Sequence, residues 1–362
     1  MNPGLFETYY YNIFVTYHLY YIPQFVPIAK ELIKRKKKIL FLLMGLDAPA
    51  QNDIAKEFCV KNNFPYHFYN KTEPALNCKF MINGANSFPR INVKYNYSAL
   101  VVHGIGTKAG YYTEAQNEHD IRFVEGQQRV DRIRELFPDA KSKLYNVGFA
   151  KLDEAFTLTE SDKKGLISKL GLNTERKTIL YAPTFYPSSI DRLPENFPGY
   201  FQDFNIIIKP HFFSFIKRRY RHHIRMFNKW KGYSNVYVAG IEEFNLVPFM
   251  SIADIMISDE SSAIFEFAAL NKPVIINRNV QFRLSYRLFK SKIRKRMDSN
   301  MDIFKNVAVP VHTFTELPSV VDYEIAHPDN KEEERKQICK QIVGTVDGKV
   351  SERIADIMES LQ

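Results

Sequence analysis

Seven short apolar runs recur along the chain: Ile39-Leu43, Ala99-His103, Thr178-Tyr181, Asn205-Lys209, Val236-Val238, Asp254-Ser258 and Pro273-Asn277. Most are separated by stretches with helical spacing. A continuous apolar strand has both faces covered, so strands of this kind alternating with helices predict parallel sheets in an α/β architecture. At 362 residues the chain exceeds what one core organises, and two domains are expected. The first half carries Ile39-Leu43, Ala99-His103 and a polar helix through Asp131 to Phe137. The second opens after Lys163-Leu170 with its own series. The pattern divides the chain into lobes at 1–160 and 161–345, followed by a tail at 346–362. In the tail Ile354, Ile357, Met358 and Leu361 fall at helical spacing, as in an amphipathic helix that packs back on the first lobe.

Hydrophobic residues make up 45% and charged residues 25%, which excludes a disordered or fibrous chain. The net charge of +10 favours phosphate-bearing partners or an anionic surface. Cys59, Cys78 and Cys339 are far apart with no CxxC, so neither a disulfide framework nor a zinc finger is expected. Met1 to Ile22 mixes aromatic and polar residues rather than following a basic region with an apolar run, and no stretch approaches the ~20 apolar residues of a membrane span. A cytoplasmic protein is expected, one that touches the membrane from inside. The basic run Lys34-Lys38 reads as the solvated end of a helix.

Three segments carry chemistry. In the first, Ile255 to Leu270, a strand ends at Ser258 and a helix begins near Ser261. A helix N-terminus directly after a parallel strand offers N–H groups to a phosphate, and Ser261 and Ser262 add hydroxyls. Glu266, about one turn on, could accept from a sugar hydroxyl. An ordinary Ser/Asp N-cap explains the same pattern. In the second, Asn205 to His211, the strand breaks at Pro210 and delivers Lys209 and His211 where ligands sit in open α/β sheets. Lys209 is a point charge for phosphate, and His211 can give a hydrogen bond or proton to a leaving phosphate. In the third, Ala99 to Gly110, Gly104, Gly106 and Gly110 allow close backbone approach and His103 is a candidate general base. The spacing fits neither a dinucleotide fingerprint nor a Walker loop. Each histidine also reads as a structural one.

Residues 209–231 contain eight Lys/Arg and no acid, and 283–296 contain seven and no acid. In the latter, Arg283, Arg287, Lys290 and Arg294 share one helical face, suited to anionic lipid headgroups or simply to solvent.

Several segments taken together are similar to a known family. They are His103-Gly104-Ile105-Gly106-Thr107-Lys108, Val147 to Asp153, Ile179 to Phe185, Ile208 to His211, Ser258 to Ser262, and Asp347 to Ile354. Their order resembles the CDP-glycerol glycerophosphotransferase family, the bacterial teichoic-acid primases and polymerases. The resemblance implies a GT-B arrangement of two Rossmann-like lobes facing across a cleft, the second holding the donor nucleotide. It implies that His103 is the base on the acceptor hydroxyl, with Gly104, Thr107 and Lys108 on the acceptor side. It further implies that His211 contacts the donor pyrophosphate, that Ser258, Asp259, Ser261 and Ser262 bind the donor phosphates, and that Glu266 is the acid on the following helix. Where the family has acidic and Tyr residues after its last donor strand, this chain has Asn277-Arg278-Asn279, which leaves glycerol phosphate, ribitol phosphate and a sugar open as the transferred group.

The expected activity is transfer of an alditol phosphate from a CDP-linked donor to a glycan or lipid-linked acceptor with release of CMP, in surface-polymer synthesis. No cofactor is required, and no metal-spaced acidic cluster stands at the strand ends. An anionic membrane surface is an expected partner and nucleic acid is not. The alternatives are a GT-B nucleotide-sugar glycosyltransferase and a non-catalytic basic protein that binds membrane or nucleic acid.

Overall fold

A computed structural model of the chain describes residues 4–45, 49–105, 111–283 and 306–361. The chain forms two compact units. The first comprises Met1–Gly104, Lys108–Asp153 and Gly344–Gln362, and the second Ile105–Thr107 and Glu154–Val343.

The first unit is built on seven parallel strands: β1 (Tyr9–Thr16), β2 (Ile39–Leu43), β3 (Tyr66–Phe68), β4 (Leu76–Asn83), β5 (Val93–Val101), β6 (Ile121–Val124) and β7 (Lys143–Asn146). Their order is β3-β2-β1-β4-β5-β6-β7. The central β1 was not among the apolar runs read from the sequence. Its tyrosines and the polar Asn12 and Thr16 hide it, yet Asn12 and Thr16 are fully buried and Phe14 stacks on Phe41 at 5.0 Å. β4 begins with Asn77 and Lys79 interleaved between buried Leu76, Cys78 and Phe80, an alternation rather than a continuous run. β3, β6 and β7 are three or four residues long, too short for a distinct signal.

The tail closes this unit. Helix Val350–Ser360 buries Ile354, Ala355 and Met358, and it packs on helix Ile22–Lys34. Buried Asp153 accepts the Val350 and Ser351 N–H groups at 3.1 and 2.7 Å and the Ser351 hydroxyl at 2.7 Å, so it caps the helix from a distant part of the chain. The Arg353 Nε donates to the Val147 carbonyl at 2.9 Å. Gly148 has φ +97, and a Cβ there would lie 2.6 Å from the Thr345 carbonyl. Two of the resembling segments, Val147 to Asp153 and Asp347 to Ile354, are therefore the two sides of one structural joint. The basic run Lys34-Lys38 is more engaged than a solvated helix end: Arg35 pairs with Glu31, Asp356 and Glu359, and Lys37 with Glu359.

The second unit carries six parallel strands, β8 (Thr178–Ala182), β9 (Asn205–Ile208), β10 (Val236–Val238), β11 (Ile255–Ser258), β12 (Val274–Asn277) and β13 (Val309–Val311). Their order is β10-β9-β8-β11-β12-β13. Every residue of β8, β9, β11 and β12 is buried, the state their continuous apolar runs predict. Trp230, Phe197 and Phe227 cover one face of this sheet.

Both sheets reverse direction of growth once, between β1 and β4 and between β8 and β11. That is the doubly wound order, and ligands of such sheets sit at the carboxyl ends beside the reversal. The three cysteines are free and buried, with thiols pushed up to about 12 by burial. Among the described residues no helix is long and apolar enough to cross a membrane.

Candidate active site

His103 follows the end of β5 and leans toward the reversal point of the first sheet. Its Nδ1 lies 3.1 Å from the carbonyl oxygen of Gly84, just beyond β4. A carbonyl can only accept, so Nδ1 carries the proton and, in the neutral ring, Nε2 keeps the basic lone pair. Tyr20 and Tyr21, which follow β1, stand 5.0 and 4.7 Å from the imidazole, and Tyr111 stands at 5.7 Å. A Cβ on the adjacent Gly104 would lie 2.8 Å from Cζ of Tyr111, so the glycine leaves that ring its place and a larger residue would displace it. Buried Arg129 fixes the same turn. It pairs with Glu125, donates to the Gly104 carbonyl at 3.2 Å, and lies 5.1 Å from the rings of both Tyr111 and Tyr112. Neither Arg129 nor the tyrosines were singled out in the sequence, because their part depends on contacts distant in the chain. Thr107 and Lys108 lie outside the described residues.

In the second unit β9 ends at Ile208 and the chain turns through Lys209, Pro210 and His211. The Lys209 and His211 amides hydrogen-bond to the carbonyls of Tyr181 and Pro183, which keeps both residues beside the end of β8. The Lys209 side chain is buried, with Nζ donating to the Pro210 carbonyl at 3.3 Å. The Phe213 N–H donates to Nδ1 of His211 at 3.1 Å. Here Nδ1 is the acceptor, so the neutral ring carries its proton on Nε2, the opposite arrangement to His103. Phe185 and Phe213 flank the imidazole at 4.7 and 5.2 Å.

Beyond β11 the residues divide into two groups. Ser258 is fully buried and its hydroxyl donates to the Ala182 carbonyl at 2.7 Å. Asp259 is 1% exposed and accepts from the Thr184 N–H at 2.9 Å, the Ser189 N–H at 3.2 Å and the Ser188 hydroxyl at 3.3 Å. Both residues, expected at donor phosphates, thus spend their polar atoms on pinning the loop that follows β8. Burial pushes the Asp259 carboxyl up to about 7, against the opposing pull of its hydrogen bonds. Ser261 and Ser262 remain half-buried at the entry to helix Ala263–Ala268. Ser261 Oγ accepts the Ala263 N–H at 3.1 Å, a local cap. The helix has only six residues, so its dipole is weaker than the sequence pattern implied. Glu266 is buried on its first turn.

Two further groups were not apparent from the sequence. Arg278, directly after β12, places Nε 3.5 Å from Glu260, too poorly aligned for a hydrogen bond; its Nε and Nη2 are buried without a hydrogen-bond partner. Asp191, His222 and His223 converge, with both His Nε2 atoms near one carboxylate oxygen at 2.7 and 3.2 Å. Adjacent histidines were the only signal, and their acid lies about thirty positions away. Arg283 lies against the rings of Tyr186 and Tyr220, at 3.8 and 5.4 Å, rather than projecting as a separate basic face. Arg287, Lys290 and Arg294 lie outside the described residues.

Two doubly wound parallel sheets, with an imidazole at the strand ends of the first and Lys209 and His211 at those of the second, define a GT-B-like protein. Residues 107–360 match the family described as CDP-Glycerol:Poly(glycerophosphate) glycerophosphotransferase, and the chain belongs to that family. The teichoic acid glycerol-phosphate primase of Bacillus subtilis is 27% identical over 168 residues, 45% of this chain and 41% of that protein. The teichoic acid ribitol-phosphate polymerase TarL of Staphylococcus aureus is 26% identical over 224 residues, 56% of this chain and 38% of its own. The chain thus spans about two fifths of the length of these curated relatives. Among solved structures, a variant of the wall teichoic acid polymerase TagF shares the fold with a TM-score of 0.65 at 14% identity, covering 97% of this chain and 88% of that one.

Replacing Asp259 by Asn turns an amide N–H₂ toward backbone donors, and at pH 5 the variant is expected to lose about 1–3 kcal/mol in urea unfolding. The folded carboxyl binds its proton more tightly than the unfolded one, whose ordinary value is 3.8. Its stabilising contribution is therefore full below pH 4 and is lost as pH rises through 7, so the gap between wild type and Asp259→Asn narrows over that window. A gap that widens contradicts the assigned burial.

Proposed function

We propose that the chain transfers an alditol phosphate, glycerol phosphate first among them, from a CDP-linked donor to a hydroxyl of a glycan or lipid-linked acceptor. The observation that carries this is the pair of opposite tautomers. His103 presents a lone pair at Nε2, what a general base needs to take the proton of an acceptor hydroxyl. His211 presents an N–H at Nε2, what a developing phosphate charge needs from a hydrogen-bond donor. In the proposed step the acceptor oxygen bonds to the β-phosphorus, the bond from that phosphorus to the bridging oxygen breaks, and CMP leaves with its new charge. The proton passes to His103, and Lys209, His211 and Arg278 neutralise the phosphates with Ser261 and Ser262 as hydroxyl donors. Such a transfer asks for positioning and charge stabilisation rather than for a covalent intermediate. Ser258 and Asp259 serve it by shaping the turn, and Glu266 is the acid on the following helix that would accept from a hydroxyl of the donor. Family membership supports the donor class; the acceptor class rests on the names of the relatives.

His103→Ala and His211→Ala are each expected to lower CMP release from CDP-glycerol by at least ~10²-fold with the fold intact by circular dichroism. Near-wild-type rates in both remove the assignment. Release of a nucleoside diphosphate from a UDP-sugar, with none of CMP, would favour the glycosyltransferase alternative.

The reading extends to an anionic membrane surface contacted by the basic run that contains Arg287, Lys290 and Arg294. Charge reversal at Arg287 and Lys290 should weaken sedimentation with vesicles containing phosphatidylglycerol while CDP-glycerol binding is kept. Equal sedimentation of wild type and variant makes the run plain surface.

A further inference from the structure

We propose that Asp191, His222 and His223 form a binding site for a divalent transition metal, with zinc the best match, that clamps the loop after β8 to the helix after β9. Asp191 ends the short turn Ser189–Asp191, and the two histidines stand in the first turn of helix Arg221–Trp230. These elements leave neighbouring strands, so an ion here would tie together two of the loops that surround His211.

The donor types are the first argument. Two imidazoles and one carboxylate are a typical zinc set, whereas calcium and magnesium take oxygen ligands almost exclusively. The spacing is the second. The three ligand atoms lie within 4.8 Å of one another. The Nε2 atoms of His222 and His223 are 2.7 and 3.2 Å from Asp191 Oδ1. Zinc–ligand bonds of about 2.0–2.1 Å in a tetrahedron set neighbouring donors about 3.3 Å apart, so the two imidazole–carboxylate distances need only tenths of an ångström of relaxation, and the two imidazoles already face the same carboxylate oxygen.

Support behind the ligands is the third argument. His223 is fully buried, and its Nδ1 is 3.2 Å from the hydroxyl of Ser214, itself fully buried. The hydroxyl can accept from Nδ1–H, which leaves the lone pair on Nε2, the tautomer a metal ligand requires. The ring also stacks on Tyr220 at 5.4 Å, which fixes its plane. Access is the fourth. Asp191 and His222 line a cavity of about 680 Å³. An ion can reach the two ligands from that side. Arg219, Arg225 and Arg283 line the same cavity, so the species completing the shell would be water or an anion. The ion takes no part in the transfer step proposed above, and its binding is measured without any assay of that step.

The test uses the full chain stripped with a chelator and titrated with Zn²⁺ against a chromophoric competitor. The expected result is one ion per chain. Loss of affinity by at least ~10²-fold is expected in both His222→Ala and Asp191→Asn, since even residues behind a ligand cost 10–100-fold. His222 is half exposed, so its replacement leaves the core intact. His67→Ala, which breaks a different imidazole–carboxylate pair with Glu73, is expected to bind as wild type does. Substituted Co²⁺ should give the intense visible bands of a four-coordinate site in the wild type and lose them in His222→Ala. Failure to bind one ion per chain, or undiminished binding in His222→Ala and Asp191→Asn, overturns the proposal.

Discussion

Every strand within each sheet runs the same way, and this single constraint decides where the chemistry can be. Parallel strands deliver all their carboxyl ends to one edge, and the reversal of order opens a gap between two of the loops there. In the first unit that gap is bounded by the ends of β1 and β4, and His103, arriving from β5, holds Gly84 beyond β4 and packs against Tyr20 and Tyr21 beyond β1. In the second the ends of β8 and β11 are bound together by Ser258 and Asp259. The buried aliphatic strands supply the rigidity, and the loops spend their polar groups on holding a few side chains in fixed orientation.

Orientation is what the two histidines contribute. A neutral imidazole has one donor and one acceptor, and which nitrogen is which depends on the neighbour of the other. A carbonyl at Gly84 and an amide at Phe213 are opposite neighbours, so two rings of the same chemistry present opposite faces. The surroundings reinforce each choice: tyrosines and the Arg129 network on one side, Phe185 and Phe213 on the other. Each partner can play only one role, a carbonyl accepting and an amide N–H donating, and that sets each tautomer.

Much of this was legible in the sequence. The strands that carry His211 and Ser258, and the last residues of the strand before His103, announced themselves as continuous apolar runs ending in polar residues, because they are buried on both faces. The order of short motifs pointed to the family. The sequence concealed β1, since a strand studded with tyrosine, Asn12 and Thr16 has no apolar signature even when it is central. It also concealed the work of Asp259: a carboxylate after a strand reads as a ligand contact, and only the fold shows it turned inward onto Thr184 and Ser189. Arg129, Arg278 and the Asp191 cluster depend on partners brought together by topology, so no local spacing announced them. The resembling tail motif proved to be architecture, an N-cap by Asp153 from the other side of a joint.

The opposed tautomers can be observed directly. Imidazole ¹⁵N chemical shifts, recorded at neutral pH on labelled protein and assigned through His103→Gln and His211→Gln, report which nitrogen of each ring carries the proton. His103 should be protonated at Nδ1 and His211 at Nε2. Finding the two rings in the same tautomer would contradict the assignment of one as base and the other as donor.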